Sequence, residues 1–247
     1  RTTPNRENVP MGDEKNQFIA NETGRLVAES ISVIKEMGYL DAHFLNILPI
    51  VSQSDEIYSI IYEAVKNELL SKKHILPAAD GSFSNVADSA LARSKDLTIL
   101  LDSDDLAILF GRQKWLDTSI TYDQMKDLGS YLINEIGVEH ISFEKFAHKI
   151  EAEFIKKKSD EWMSSFYQCL IDRKDLWKQK EGYQEAGILR SKPIMRLEDN
   201  EHVCPSDSSG HLQVHLPSAT KSAYKVIKKI FTENDKCLQF FKALGLS

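Results

Sequence analysis

Four potential metal ligands lie close together near the C-terminal end of the sequence. Within fourteen residues the chain carries His202, Cys204, His211 and His215. Histidine and cysteine are common zinc ligands, but the spacing H-x-C-x6-H-x3-H matches no common zinc pattern. His202 and Cys204 would share one face of a strand, which would allow both to bind one ion. We favour a β-hairpin with surface histidines and a half-buried Cys204, and a metal site is the alternative.

Acidic side chains form a second group of candidates. Asp102, Asp104 and Asp105 lie close in sequence, and Asp80 lies in a predicted turn. Paired acids can bind magnesium or transfer protons. They also suit the first turn of a helix, where carboxylates meet the positive end of the helix dipole. We favour this second interpretation, with Ser103 as the residue that caps the helix.

The sequence shows no motif for nucleotide binding or nucleophilic catalysis. None of its eleven glycines forms G-x-G-x-x-G or G-x-x-x-x-G-K-[ST], the loops that close the backbone around phosphates. Ser82 lies near a turn, but no G-x-S-x-G elbow surrounds it. We therefore predict that this chain is not an enzyme and holds no catalytic or cofactor-binding residue.

Composition indicates which classes of partner and which compartment to expect. The chain has 31 Lys and Arg against 37 Asp and Glu, a net charge of −6, so the basic face of a nucleic-acid-binding protein is not expected. The longest apolar run, Leu97–Leu101, is far shorter than the roughly 20 residues of a membrane span, and we predict that it forms a buried strand. Three cysteines, an odd number at wide spacing, favour a reducing cytoplasm.

The order of predicted elements indicates a helix-rich α+β fold. We expect a connecting arm over residues 1–12 and a helical unit over 13–71. A central unit of helices and short strands follows over 72–158. Residues 159–247 are predicted to form a small antiparallel sheet with a terminal helix.

Capping residues place individual helices. The first is predicted from Asp13 to Met37, with Gly38 as a left-handed cap. Asn234 should begin the last helix and Gly245 should end it. The buried stripe of the first helix is predicted from 3.6-residue spacing, and it comprises Phe18, Ile19, Val27, Ile31 and Ile34.

The order of motifs resembles the region that follows the ATPase domain in large sacsin-like proteins. The segments that carry the resemblance are NRENVP, ILPAADGSFSNVADSALA, WLDTSITYDQMKDLGSYLINEIGV, KPIMRLEDNEHVCP, HLPS and YKVIKKIFTENDKCLQFFKALGL. Each is modest in specificity, being mostly turns and helix caps. Their order over more than 200 residues carries the resemblance.

The resemblance implies a non-catalytic internal segment that couples, scaffolds or binds proteins. Sacsin-like proteins carry an ATPase domain of the gyrase, heat-shock chaperone and histidine-kinase class. ATP and magnesium would therefore belong to that upstream domain of the full-length protein, and the Asp-x-Gly-x-Gly motif of such ATP sites is absent here. The expected partners are the upstream ATPase domain of the same chain and a possible protein client.

The start of the chain fits this expectation. It begins at Arg1 rather than Met, and the resemblance makes the segment Asn5–Asn8 the exit arm from the ATPase domain, with Arg6 as a contact to that domain or a solvated linker charge.

Two other hypotheses for the function of the chain stay open. One is a stand-alone metal-dependent enzyme that uses the His202 to His215 cluster, and the other is an interaction module with no ATPase neighbour.

Overall fold

The protein is described by a computed structural model, and its fold is α+β and helix-rich, as predicted. It divides into two units, with the boundary between Ile141 and Ser142. The predicted boundaries after residues 71 and 158 therefore each lie inside one unit. The described residues are 9–51, 55–71, 73–121, 124–178, 187–217 and 225–247. The predicted exit arm Asn5–Asn8, with Arg6, lies outside them.

The first unit contains six helices and five short strands among its described residues. Its helices are α1 (Glu14–Glu36), α2 (Ala42–Asn46), α3 (Glu56–Leu70), α4 (Lys95–Leu100), α5 (Ser103–Phe110) and α6 (Lys126–Asn134). Its strands are β1 (Leu76–Pro77), β2 (Phe83–Ser84), β3 (Ser89–Ala92), β4 (Lys114–Trp115) and β5 (Glu139–Ile141). One hydrophobic core joins Ile31 of α1 and Val65 of α3 to Leu128 and Leu132 of α6. This shared core is the reason why the helices before residue 71 are not a separate unit.

Helix α1 begins and ends where its capping residues predict. The Asp13 side chain accepts a hydrogen bond from the backbone N–H of Lys15 at 2.9 Å. Met37 closes the helix, and Gly38 follows with a φ of +79°, a left-handed conformation that glycine adopts without steric cost.

The buried face of α1 differs from the predicted stripe. Ile31 is buried, but Val27 and Ile34 are only half-buried, and Phe18 and Ile19 are exposed. Small residues, Ala20, Gly24 and Ala28, are buried instead. A Cβ atom at Gly24 would lie 3.3 Å from the Cβ of Ala64, so α1 approaches α3 closely along this side. Close helix approach requires small side chains at the crossing, and this requirement decided which face is buried.

The strands of the first unit form a hairpin and a small parallel sheet. β1 and β2 pair antiparallel around the turn that holds Asp80. β3 is the central strand of the second sheet and runs parallel to both β4 and β5, in the order β4-β3-β5. The chain therefore goes from the central strand to one edge, and then returns past the central strand to the other edge.

The apolar run Leu97–Leu101 is not a strand, which corrects the prediction. Leu97 and Leu100 belong to α4, and Leu101 ends that helix. All three are buried, whereas Ile99 is 75% exposed. Burial at positions i, i+3 and i+4 is the pattern of an amphipathic helix, and in so short a run it is easily mistaken for a buried strand.

The second unit contains five helices and four short strands among its described residues. Its helices are α7 (Phe143–Lys149), α8 (Ala152–Lys156), α9 (Asp160–Leu170), α10 (Lys229–Thr232) and α11 (Asp235–Leu244). Its strands are β6 (Met195–Arg196), β7 (His202–Val203), β8 (Val214–His215) and β9 (Lys225–Val226). β6 and β7 form an antiparallel hairpin, and β8 pairs parallel with β9. Asn234 caps α11 and Gly245 ends it, with a φ of +108°, as predicted.

An aromatic cluster forms the core of the second unit. Tyr167 of α9 contacts the rings of Phe231, Phe240 and Phe241, with ring centroids 4.9–5.9 Å apart. Its hydroxyl donates a hydrogen bond to the carbonyl of Ile194 at 2.7 Å and accepts one from the backbone N–H of Arg196 at 3.1 Å. The buried phenol therefore has both of its hydrogen-bonding functions satisfied.

Candidate functional site

The predicted metal cluster is not assembled as a ligand set. His202 lies on β7 and His215 on β8, while the side chain of His211 is 82% exposed in the intervening loop. Cys204 is half-buried, as predicted, and its thiol faces the carbonyl of Ser191 at 3.2 Å. The described part of the chain, which includes all four cluster residues, contains no group of three or more His, Cys, Asp or Glu arranged to hold a metal ion.

His202 is not the surface histidine that the sequence predicted. Both of its ring nitrogens are buried and make no hydrogen bond. Burial, and then the positive charges of Arg196 and Lys156, lower the pKa of the imidazole to about 4. The neighbouring Nε of Arg196 is buried without a hydrogen bond as well. The ring is therefore neutral at physiological pH; the residue as a whole is half-buried, and both of its nitrogens are shielded from solvent.

An ion-pair network lies next to His202. Asp160 lies 3.1 Å from Arg196 and 2.6 Å from Lys228, and the side chains are 11–23% exposed. Lys228 also donates to the amide oxygen of Asn200 at 2.7 Å. One carboxylate thus bridges two cations and joins the start of α9 to β6 and to the residue before α10. These charged side chains therefore have a structural role, which is to hold the three elements together.

The acidic candidates also have structural partners. The Asp102 side chain accepts a hydrogen bond from the backbone N–H of Asp105 at 2.8 Å, so it caps α5. Capping is confirmed, although Asp102 rather than the predicted Ser103 is the cap. Asp80 accepts hydrogen bonds from Ser82 and lies 2.6 Å from Lys114. The Lys114 ammonium, followed by the Ser82 hydrogen bonds, holds the pKa of this carboxyl well below its usual range.

A cavity of about 240 Å³ lies beside the parallel sheet of the first unit. Leu91 and Ala92 of β3 and His140 of β5 form one side, and residues of α6 form another. Its polar lining residues are Arg93, Thr121, Lys126, Ser130 and His140. No sequence motif indicates this cavity, because Arg93, Lys126 and His140 lie far apart along the chain.

A second candidate surface is the exposed side of α1, which we call the α1 stripe. Its members are 51–66% exposed, and they are Phe18, Ile19, Leu26, Val33 and Met37. At 100° per residue they lie within one arc, on the side opposite Ala20 and Gly24. Ile19, Leu26 and Val33 recur every seven residues. The seven-residue spacing is present in the sequence, but the predicted buried face of α1 includes two members of this stripe, Phe18 and Ile19.

None of the described helices is both long enough and apolar enough to cross a lipid bilayer. No protein-family model, curated protein or solved structure matches the chain. The resemblance to sacsin-like proteins therefore stays a prediction, which depends on the order of the sequence motifs.

Proposed function

We propose that this chain is a non-catalytic protein-interaction segment of a cytoplasmic protein, of the coupling or scaffold kind that its resemblance to sacsin-like proteins implies. The observation that carries the proposal is the α1 stripe. A helix on the surface of a soluble domain normally places its apolar side chains on one buried face. Helix α1 has a buried face toward α3 and a second apolar side exposed to solvent. Exposed apolar side chains grouped on one side of a helix are typical of an interaction site.

The spacing of the stripe favours a helical partner. Ile19, Leu26 and Val33 repeat every seven residues, the period at which one helix packs against another along a shallow left-handed crossing. An amphipathic helix laid along such a stripe would bury these three side chains together. Each Leu, Ile or Val side chain that becomes fully buried contributes roughly 1.5–3 kcal/mol to the free energy of binding.

The charges beside the stripe indicate the chemistry of that partner. Glu22, Glu29 and Glu36 also repeat every seven residues, and at 100° per residue they lie beside the row of Ile19, Leu26 and Val33, on the side of Phe18. Thr23 and Ser30 lie on the other side of this row. A second copy of α1 would bring mainly glutamates to this surface, because its Arg25 is already paired with Glu22 and Glu29. A partner helix with Lys or Arg at its flanking positions would supply further cations, and such flanking charge pairs select partners and orientation.

The interaction is tested with two designed peptides on the full chain. Both have leucine at the two core positions of a heptad repeat; one has lysine at the flanking positions and the other has glutamate. We expect the lysine peptide to bind in fluorescence anisotropy and the glutamate peptide to bind at least roughly tenfold more weakly. The double variant Leu26→Ser/Val33→Ser should abolish binding, because it removes the centre of the stripe.

Ile108→Ser is the matched control, since Ile108 is an equally exposed apolar residue, 68% accessible, outside α1. This variant should bind the lysine peptide as the wild type does. Equal binding of the two peptides, no binding of either, or the same loss in Ile108→Ser would contradict the proposed surface. Hydrolysis of ATP by the purified chain alone would contradict its non-catalytic role.

A further inference from the structure

The position of the cavity in the first unit suggests a ligand site. Its lining takes Leu91, Ala92 and Arg93 from the carboxyl end of β3, and His140 from the adjacent strand β5. The chain leaves β3 toward one edge of the sheet, β4, and later returns to the other edge, β5. In open sheets of parallel strands, ligands bind outside the carboxyl ends of the strands where the direction of the connections reverses. Leu91 and His140 are partners across these two strands, so the cavity lies against one face of the sheet, beside the carboxyl end of β3.

The polar residues that line the cavity are basic residues and hydroxyl residues. Arg93, Lys126 and His140 supply cationic or hydrogen-bond-donating groups, and Thr121 and Ser130 supply hydroxyls. No carboxylate is found among the described residues that line the cavity. Acidic residues outnumber basic ones over the whole chain, 37 to 31, so the described lining residues, with basic groups and no acid among them, depart from the composition of the chain.

Arg93 differs from the other described arginines of the first unit in its lack of a described ion-pair partner. The other described arginines of the first unit are paired: Arg25 with Glu22 and Glu29, and Arg112 with Glu139 at 3.0 Å. The guanidinium of Arg93 makes no ion pair with any of the described residues, and it adjoins the cavity. A planar guanidinium is well suited to binding a carboxylate or a phosphate through two parallel hydrogen bonds.

We infer that this cavity binds a small organic anion, with a phosphate or carboxylate head group on a compact apolar body. Arg93 and Lys126 would hold the head group, and the body would rest against Leu91, Ile120 and Ile133. The volume of about 240 Å³ is smaller than that of sites for drug-sized molecules, roughly 300–1,000 Å³. The site therefore suits a body of about one ring. This inference is independent of the α1 stripe.

The head-group contacts are tested by titrating the full chain with phenyl phosphate and with benzoate, followed by amide NMR shifts and calorimetry. We expect saturable shifts at residues of β3, β5 and α6. Arg93→Gln and Lys126→Gln should each weaken binding of the preferred probe roughly tenfold or more, because each removes a charge-assisted hydrogen bond. Arg25→Gln makes the same chemical change on α1, and it should leave the affinity unchanged.

The apolar contacts are tested by narrowing the cavity without removing a charge. A Cβ atom at Gly129 would find one neighbour within 4 Å, the Cγ2 atom of Ile120 at 3.9 Å, so Gly129→Ala fits the fold. The added methyl group should weaken binding of phenyl phosphate several-fold while leaving that of inorganic phosphate unchanged. If neither probe binds up to about 10 mM, or if Arg25→Gln loses as much affinity as Arg93→Gln, the cavity is not an anion site.

Discussion

His202 shows how the interior changes the chemistry of a single residue. In sequence it is one of four possible metal ligands; in the fold its two ring nitrogens are buried without hydrogen bonds. Three charged neighbours, Arg196, Lys156 and Asp160, act on it. Burial is the largest effect, and it lowers the pKa of the ring to about 4. A buried neutral ring that lacks partners costs free energy that an apolar side chain would not.

This burial predicts a pH dependence of stability. An unfolded histidine has a pKa of about 6.5, so the unfolded state binds more protons than the folded state between about pH 6.5 and pH 4. The free energy of unfolding should therefore fall as the pH is lowered through this window, by about 1–3 kcal/mol in total. Urea unfolding at several pH values measures the change.

The substitution His202→Leu should remove this pH dependence and should leave stability at neutral pH unchanged or slightly higher, because leucine buries no unsatisfied nitrogen. His211→Leu is the control, since the His211 side chain is 82% exposed; it should keep the wild-type pH dependence. The burial argument fails if the two variants behave alike.

At the scale of elements, the pair α1 and α3 shows what determines a buried face. Apolar spacing alone allows two sides of α1 to be buried, because both sides carry apolar residues. The side with Ala20, Gly24 and Ala28 is the one that packs, because only small side chains let the backbones come this close. Larger residues, such as Phe18 and Leu26, then remain exposed.

Enlarging Gly24 should therefore separate the two helices. Its Cβ would already lie 3.3 Å from both the Ala64 Cβ and the Ile60 carbonyl oxygen, so Gly24→Leu leaves no room for the side chain. We expect the free energy of unfolding to fall by roughly 2–3 kcal/mol, measured by chemical denaturation. At Gly12 a Cβ would find no atom within 4 Å. Gly12→Leu should therefore change stability by less than about 0.5 kcal/mol, and an equal effect at both positions would argue against the close approach.

At the scale of the whole molecule, the two units have separate cores. The core from Ile31 to Val138 belongs to the first unit, and the aromatic cluster around Tyr167 belongs to the second. Each unit has the size of a typical small domain. This organisation differs from the predicted helical, central and C-terminal units, because the helices before residue 71 share a core with α6.

Each unit should therefore fold when it is produced alone. We expect fragments 1–141 and 142–247 each to give dispersed amide NMR spectra and a cooperative thermal transition. As a control, fragment 72–247, cut at a predicted boundary, should lose the order of the first unit, because it lacks Ile31 and Val65 of the shared core. Independent folding of residues 72–158, the predicted central unit, would favour the predicted boundaries instead.

The sequence by itself determined the local features of this protein. Asp13 and Asn234 begin helices, and Gly245 ends one, as predicted, because a cap depends on hydrogen bonds to residues two to four positions away. The turn at Asp80 and the helix-rich α+β class follow for the same reason. Local signals also set limits, since the short run Leu97–Leu101 reads as a strand although it forms α4.

Only the tertiary structure decided which side chains are buried and which come together. It buried the ring nitrogens of His202, exposed the α1 stripe and brought Arg93, Lys126 and His140 to one cavity. These outcomes depend on how closely segments that are far apart in sequence pack against each other. The size of the residues at a helix crossing determines how near two helices come, and the order of strands in a sheet determines which segments are neighbours. No spacing within one segment contains this information, so the folded chain was needed to show the cavity and to show which apolar side of α1 is exposed.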